Sequence, residues 1–356
     1  MTPLILLGAG KIGETITHLL HEAGDYALTV ADQDPARLAP IAALGVATRH
    51  ADFNTAEALA TLLRGQAIVV SASPFYLTPL IAQAAVAAGA HYFDLTEDVA
   101  SMRRVKALAA DAGTALVPQC GLAPGFISIL AHAMTRKFDQ LRDVQMRVGA
   151  LPVYPTNALK YNLTWSTDGL INEYCNPCEA IIDGSRRETL ALEEIEAFSL
   201  DGVAYEAFNT SGGLGTLCDT LSGRVENLNY KTVRYPGHRD LVKMLIRDLR
   251  LGQRREILKD VLEASVPMTR QDVVLVFVTV SGMQDGRLTQ ESFAKKIYSK
   301  TLGERVYSAI QITTAAGVCA MVDLLREGAL PSRGFVRQED AELAGFLANR
   351  FGRHYA

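Results

Sequence analysis

The opening residues constrain this chain more than any other stretch. An apolar run, Leu4-Ile5-Leu6-Leu7, meets Gly8-Ala9-Gly10-Lys11-Ile12-Gly13, and a helical pattern follows with Ile16, Leu19, Leu20 and Ala23 on one side. A second apolar run, Ala27-Leu28-Thr29-Val30-Ala31, ends in Asp32. The glycine spacing alone would be weak. Strand, glycine turn, helix, second strand and terminal acid, at about the twenty-residue interval, together form a dinucleotide-binding fingerprint.

Each residue of the fingerprint has a physical task. Gly8 permits the tight turn, Gly10 lets the backbone approach a pyrophosphate, and Gly13 lets the helix pack closely on the sheet. The pyrophosphate would lie at the helix start beside Lys11 and Ile12, where amide groups and the helix dipole favour an anion. Asp32 can accept hydrogen bonds from ribose hydroxyls, and its charge repels a 2′-phosphate. The expected cofactor is therefore NAD rather than NADP.

A length of 356 residues suggests two domains, and 49% apolar residues are enough for a substantial core. The net charge of −4, with no basic tract, argues against nucleic acid or an anionic membrane as partner. Met1-Thr2-Pro3 leads straight into a strand, and Gly, Asp or Arg interrupts the longest apolar stretches. No secretory signal or membrane span is expected, and the location expected is cytoplasmic. The odd count of five cysteines does not suit a disulfide framework, and the single Cys175-Asn176-Pro177-Cys178 pair reads as ordinary thiols rather than a redox pair or half a metal site. The seven histidines form no metal cluster in the sequence, so no metal is expected.

Strand–helix alternation continues to about residue 118. It implies an α/β fold of the Rossmann type: a doubly wound parallel sheet that binds its ligand beyond the carboxyl ends of its strands. Those ends carry Gly8, Asp32, Asp52, the stretch with Ser71, Ser73, Pro74 and Phe75, the stretch from Asp94 to Glu97, and Gln119 to Gly125. Beyond residue 125, segments such as 144–148, 159–165, 232–235 and 273–281 read as longer strands separated by polar turns. They suggest a second, α+β domain on a mixed or antiparallel sheet. The alanine-rich helix expected over 307–326 should return to the nucleotide domain. The domains expected are 1–125 with 307–356, and 126–306.

With no nucleophile elbow, HExxH or paired zinc spacing, the chemistry expected is the cofactor's hydride transfer. Asp94 and Glu97 could hold a substrate ammonium or take a proton, while Thr96 or Asp98 caps the next helix. In the second domain, Lys160–Ser166 carries Tyr161 and the only tryptophan, Trp165. Thr210–Thr216 is a polar glycine turn, with Ser211 and Gly212, suited to a carboxylate. Tyr230–His238 holds two cations, two phenols and an imidazole. On a strand, Lys231 and Val233 face one side and Thr232 and Arg234 the other; the competing reading is a solvated sheet face.

The GAGKIG unit, the FDLTED and GLAPG loops, the TWS and NEY segments, TSGGLGT, YKTVRYPGH and the terminal GFVRQED stretch together resemble the saccharopine dehydrogenase family, and within it most closely its lysine 6-dehydrogenase branch. The resemblance runs from residue 1 to about 340. It implies NAD-dependent oxidation of L-lysine at its ε-carbon to ammonia and 2-aminoadipate 6-semialdehyde, which cyclises. It also implies a Rossmann domain completed by the C-terminal helix, and a homodimer or higher homo-oligomer. Saccharopine-type members often carry an acid where this chain has Ala123, a departure that favours the lysine branch.

The ε-ammonium of lysine, with a reference pKa near 10.4, must lose a proton before hydride can leave. His238 and Asp94 are the candidate catalytic bases; the competing reading of His238 is a structural histidine paired with backbone. His238 follows Pro236-Gly237, a turn expected to swing its ring toward a domain interface. Lys231 and Arg234, with the Ser211–Gly213 turn, are expected to hold the α-carboxylate. Glu97, Tyr161, Trp165, Gly212 and Thr232 complete the candidate substrate set. The alternatives are a saccharopine- or carboxynorspermidine-type dehydrogenase acting on a secondary amine, and an NAD(H)-binding redox sensor without turnover.

Overall fold

The alternating strands and helices of the N-terminal part build a seven-stranded sheet. Its order is Gly334–Phe335, Ala115–Val117, His91–Asp94, Ile68–Ser71, Thr2–Leu7, Tyr26–Asp32, Ala47–His50, and every pairing is parallel. The order runs outward in both directions from Thr2–Leu7, so the switch point expected of a dinucleotide site lies beside Gly8. The computed structural model describes residues 1–303 and 305–356. The chain divides into two units, Met1–Phe126 with Thr313–Ala356, and Ile127–Ile312. The return therefore falls inside the helix Ala309–Arg326 rather than at residue 307.

Inside the first unit the C-terminal part is held by one buried carboxylate. Asp323, 1% exposed, accepts from the Tyr26 hydroxyl at 2.8 Å, Asn349 Nδ2 at 2.9 Å, Arg326 Nη2 at 2.8 Å and Arg350 at 2.9 and 3.0 Å. Burial works against its ionisation, and these donors outweigh burial and hold its carboxyl below the usual range. A Cβ on Gly317 would come within 2.6 Å of the Cys120 carbonyl, so glycine is what lets this helix lie against the Cys120–Gly121 backbone. Ala309–Arg326 is long and apolar enough to cross a membrane by length and composition alone, but 89% of it is buried inside the protein, as in a core helix.

The second unit is built on an eight-stranded sheet ordered Glu196–Leu200, Val203–Asn209, Val225–Arg234, Gln140–Pro152, Asp272–Gln284, Arg287–Tyr298, with Cys178–Ile182 and Ser185–Thr189 branching from Val225–Arg234. The pairing of Val225–Arg234 with Gln140–Pro152 is parallel; the other pairings are antiparallel. The sheet curls, because Phe198 on its first strand reaches within 5.6 Å of Phe277 on its fifth. Leu151, Tyr205, Val233 and Leu275 pack on this concave face. Tyr161, Leu170, Tyr174, Phe208 and Val242 form a separate core with helices Thr167–Cys175 and His238–Lys243.

One expected strand is absent: residues 159–165 are irregular. Lys160 takes a φ of +49°, which breaks an extended run. The Asn157 side chain takes over the backbone of Tyr161, donating to its carbonyl at 2.7 Å and accepting from its N–H at 3.3 Å.

Candidate functional site

The glycine turn of the first unit is shaped as the fingerprint requires. Gly8 has a φ of +105°, and a Cβ there would lie 2.7 Å from the Ala72 carbonyl oxygen; one on Gly13 would lie 2.0 Å from that of Gly8. Nothing lies within 4 Å of where a Cβ on Gly10 would be, so the backbone there borders open space. No side chain caps the helix Lys11–Ala23, whose first turn includes Ile12. Asp32 is 4% exposed; its Oδ2 accepts from Ala9 N–H at 2.6 Å and its Oδ1 from Asp34 N–H at 2.8 Å. A carboxylate has about four acceptor positions, so capacity remains for ribose hydroxyls. These residues fit a nicotinamide dinucleotide. Ser73 donates to the Leu7 carbonyl at 3.0 Å beside the turn, and Pro74 and Phe75 follow it. The Ser71 hydroxyl is buried without a partner among the described residues. Asp52, exposed beyond the edge strand Ala47–His50, accepts from Asn54 N–H at 3.0 Å.

At the end of His91–Asp94, Asp98 is the cap, accepting from Ser101 N–H at 2.7 Å. Asp94 is 1% exposed. Its Oδ1 accepts from the N–H groups of Thr96 and Gln119, each at 2.9 Å, while Oδ2 is buried without a hydrogen-bond partner among the described residues. Burial pushes its pKa up to about 6, against the pull of those two amides. Glu97 is half-buried on the same loop. Beside Asp94, Cys120 is buried, and its thiol is pushed up by burial and then by the Asp94 charge.

The polar cluster of the second unit centres on Arg234, 3% exposed. Its Nε–H donates to the Tyr174 hydroxyl at 2.9 Å and its Nη1–H to the Val233 carbonyl at 2.8 Å. Its guanidinium lies 4.9 Å from the ring centre of Tyr161 and 5.8 Å from that of Tyr174. Burial works against the charge, and Tyr174, Tyr161 and Glu173 outweigh it, holding the guanidinium above its ordinary pKa. Among the described residues, no carboxylate lies within ion-pair distance of Arg234. The Tyr161 hydroxyl accepts from the Trp165 indole N–H at 3.1 Å.

Sequence reasoning missed Tyr174. A signal existed: it lies four residues after Leu170 on the buried face of Thr167–Cys175, and a buried phenol must find a partner.

Four expectations need correction. His238 is not displayed as a base: its ring is buried among Tyr161, Tyr174 and Phe208, with Nδ1 2.7 Å from the Leu159 carbonyl and Nε2 3.0 Å from the Tyr174 hydroxyl. Burial, then the Arg234 charge, pushes its pKa down to about 3, so it is neutral near pH 7. Lys231 does not join Arg234. Strand alternation sends it to the concave face, where it donates to the Glu194 carbonyl at 2.7 Å and lies 3.6 Å from Glu196, which also pairs with Arg147. Ser211 is no open cradle, because its hydroxyl donates to the Pro177 carbonyl at 2.8 Å and its N–H to the Glu173 carbonyl at 2.9 Å. Gly212 takes a φ of +89°, and a Cβ on Gly213 would lie 2.2 Å from the Tyr230 ring, so Gly213 serves close packing. Thr232 turns its hydroxyl to the Val148 carbonyl at 3.4 Å.

A Rossmann-type sheet with an intact glycine turn, carried by the same chain as a mixed-sheet unit, defines the class: a nicotinamide-nucleotide-dependent oxidoreductase. Residues 4–117 match the saccharopine dehydrogenase NADP binding domain and residues 121–354 the saccharopine dehydrogenase C-terminal domain. The chain belongs to the saccharopine dehydrogenase family. Its fold is similar to that of apo saccharopine dehydrogenase (L-Glu forming) from Saccharomyces cerevisiae, with a TM-score of 0.77 at 17% identity over 95% of this chain and 94% of that one. Among curated proteins it is similar to mitochondrial alpha-aminoadipic semialdehyde synthase of Rattus norvegicus, at 21% identity over 198 residues, and of Bos taurus, at 22% over 193 residues. In each case the match takes in 51% of this chain and spans 20% of the length of the relative.

Proposed function

We propose that the protein oxidises L-lysine at its ε-carbon with NAD. The observation that carries this reading is Arg234, a buried guanidinium without a carboxylate partner among the described residues. Its surroundings already favour the charged form, and a ligand carboxylate would add the charge-assisted hydrogen bonds that the described residues do not supply. Of the two cations of Tyr230–His238, Lys231 is committed to Glu194 and Glu196, so Arg234 is the one left for a ligand, which suits an amino acid with one carboxylate. Saccharopine, with more carboxylates, would ask for more cations. Ala123 in the GLAPG loop supports the same choice.

In this reading, NAD supplies the two-electron acceptor. Asp94, largely ionised above about pH 6, accepts a proton from the ε-ammonium, and the lone pair left on nitrogen drives hydride from the ε-carbon. The resulting iminium takes up water and releases ammonia, leaving 2-aminoadipate 6-semialdehyde. Arg234 holds the α-carboxylate, and Tyr161 and Trp165 flank it. The Asp32 carboxylate would repel a 2′-phosphate, which supports NAD over NADP.

The test is NADH formation with L-lysine alone, with ammonia measured in parallel. Equal amounts of both are expected. Activity only with saccharopine, or only with an amine and an aldehyde supplied together, would move the protein to the secondary-amine reading.

A further inference from the structure

We infer that His238 is a positioning residue, which fixes the guanidinium of Arg234 for a substrate carboxylate through the hydroxyl of Tyr174. The inference rests on the proposed role of Arg234.

The proton positions follow from the two ends of the chain of contacts. A carbonyl can only accept, so the 2.7 Å contact of His238 Nδ1 with Leu159 requires a proton on Nδ1. A guanidinium can only donate, so the 2.9 Å contact of Arg234 Nε with the Tyr174 hydroxyl requires that oxygen to accept. The Tyr174 proton then points to His238 Nε2, 3.0 Å away, which in a neutral ring is an acceptor. One arrangement satisfies every group: Arg234 to Tyr174 to His238, and His238 to Leu159. A proton on Nε2 would strip the Tyr174 hydroxyl of its acceptor and set a second cation behind Arg234. Neutral imidazole is thus a requirement of the geometry, and burial and the Arg234 charge, the causes of its low pKa, act in the same direction.

The ring is itself held from the backbone. Glu206, 5% exposed, accepts from Gly237 N–H at 2.8 Å and Arg239 N–H at 2.7 Å, the residues on either side of His238. Gly237 takes a φ of +95°, which lets the chain turn from the strand into the helix at His238. The Tyr161, Tyr174 and Phe208 rings, 5.2, 5.9 and 6.4 Å from the imidazole, enclose it. The turn that was expected to present a base instead sets an acceptor behind the carboxylate-binding arginine.

The test uses the full chain with His238→Phe, His238→Gln, Tyr174→Phe and the double variant. His238→Phe keeps a ring without an acceptor, and Tyr174→Phe removes one hydroxyl. Each should raise the KM for lysine about ten-fold or more, with kcat within a few-fold and the KM for NAD unmoved. The double variant should be no worse than the worse single one, because both act through one relay. His238→Gln, which can place an oxygen near Nε2, should recover much of the loss. A fall in kcat of about a hundred-fold or more would make His238 a base and overturn the inference. So would an unchanged lysine KM. If the unmodified protein does not oxidise lysine, the proposed function fails, and nitrogen-15 NMR of labelled histidine then decides the relay. The resonance lost in His238→Phe should keep the neutral Nδ1–H form between about pH 5.5 and 8 and shift at Nε2 in Tyr174→Phe. Titration in that range, or no shift, would overturn it.

Discussion

Replacing Arg234 by methionine should separate a charge kept for a ligand from one kept for the fold. On the substrate side, the variant loses charge-assisted hydrogen bonds to a carboxylate, worth about 1.5–3 kcal/mol, so the KM for lysine should rise about ten- to a hundred-fold. On the protein side, it loses the 2.9 Å bond to Tyr174, the 2.8 Å bond to the Val233 carbonyl and the ring contacts at 4.9 and 5.8 Å. It also removes the desolvation of the guanidinium together with the neighbours' stabilisation of its charge, and methionine fills a comparable volume. The two sides nearly cancel, which leaves stability within about 2 kcal/mol and the melting temperature within several degrees. The assay is initial rate against lysine at saturating NAD, together with thermal melts of both proteins. A loss of roughly 3–5 kcal/mol with an unchanged lysine KM would refute the reasoning, because Arg234 would then be a structural cation.

Two further substitutions test the nucleotide unit. Asp94→Asn should lower kcat about 10²–10⁴-fold and erase an acidic limb of kcat/KM near pH 6, measured as rate against pH. Because burial raises the folded pKa of Asp94 from 3.8 to about 6, its contribution to stability is full below the unfolded value and is lost as pH rises through about 6; melts of the unmodified protein should therefore weaken over that window by roughly 3 kcal/mol more than those of Asp94→Asn. Asp32→Ser should narrow the preference for NAD over NADP, read as the ratio of kcat/KM values, and should raise the KM for NAD as well, since Ala9 and Asp34 lose their 2.6 and 2.8 Å acceptor. Equal kcat/KM for the two cofactors in the unmodified protein would overturn the NAD reading.

The candidate residues of the two units were not equally legible, for a physical reason. The nucleotide turn is mostly local: Gly13 packs on Gly8 and Asp32 binds Ala9 within one strand–helix–strand unit, with Gly8 also against Ala72, so the spacing read with its flanking strands and helix announces the geometry. The second unit assembles its cluster from a loop at 157–165, a helix at 167–175 and a strand at 225–234, and no spacing links them. Strand alternation does separate Lys231 from Arg234. It does not reveal that the face of Lys231 curls over onto Glu196, while the face of Arg234 is met by two phenols. His238 illustrates the same limit from the side of chemistry. An imidazole is a base only where one nitrogen is left open to a proton, and sequence carries the residue type without its partners. Once Leu159 and Tyr174 take its two nitrogens, what remains is a fixed acceptor. What separates the cation proposed for the ligand from the structural one is therefore its partners: Lys231 has a carboxylate within 4 Å, whereas Arg234 is met by a hydroxyl and a carbonyl that accept from it and by two phenol rings.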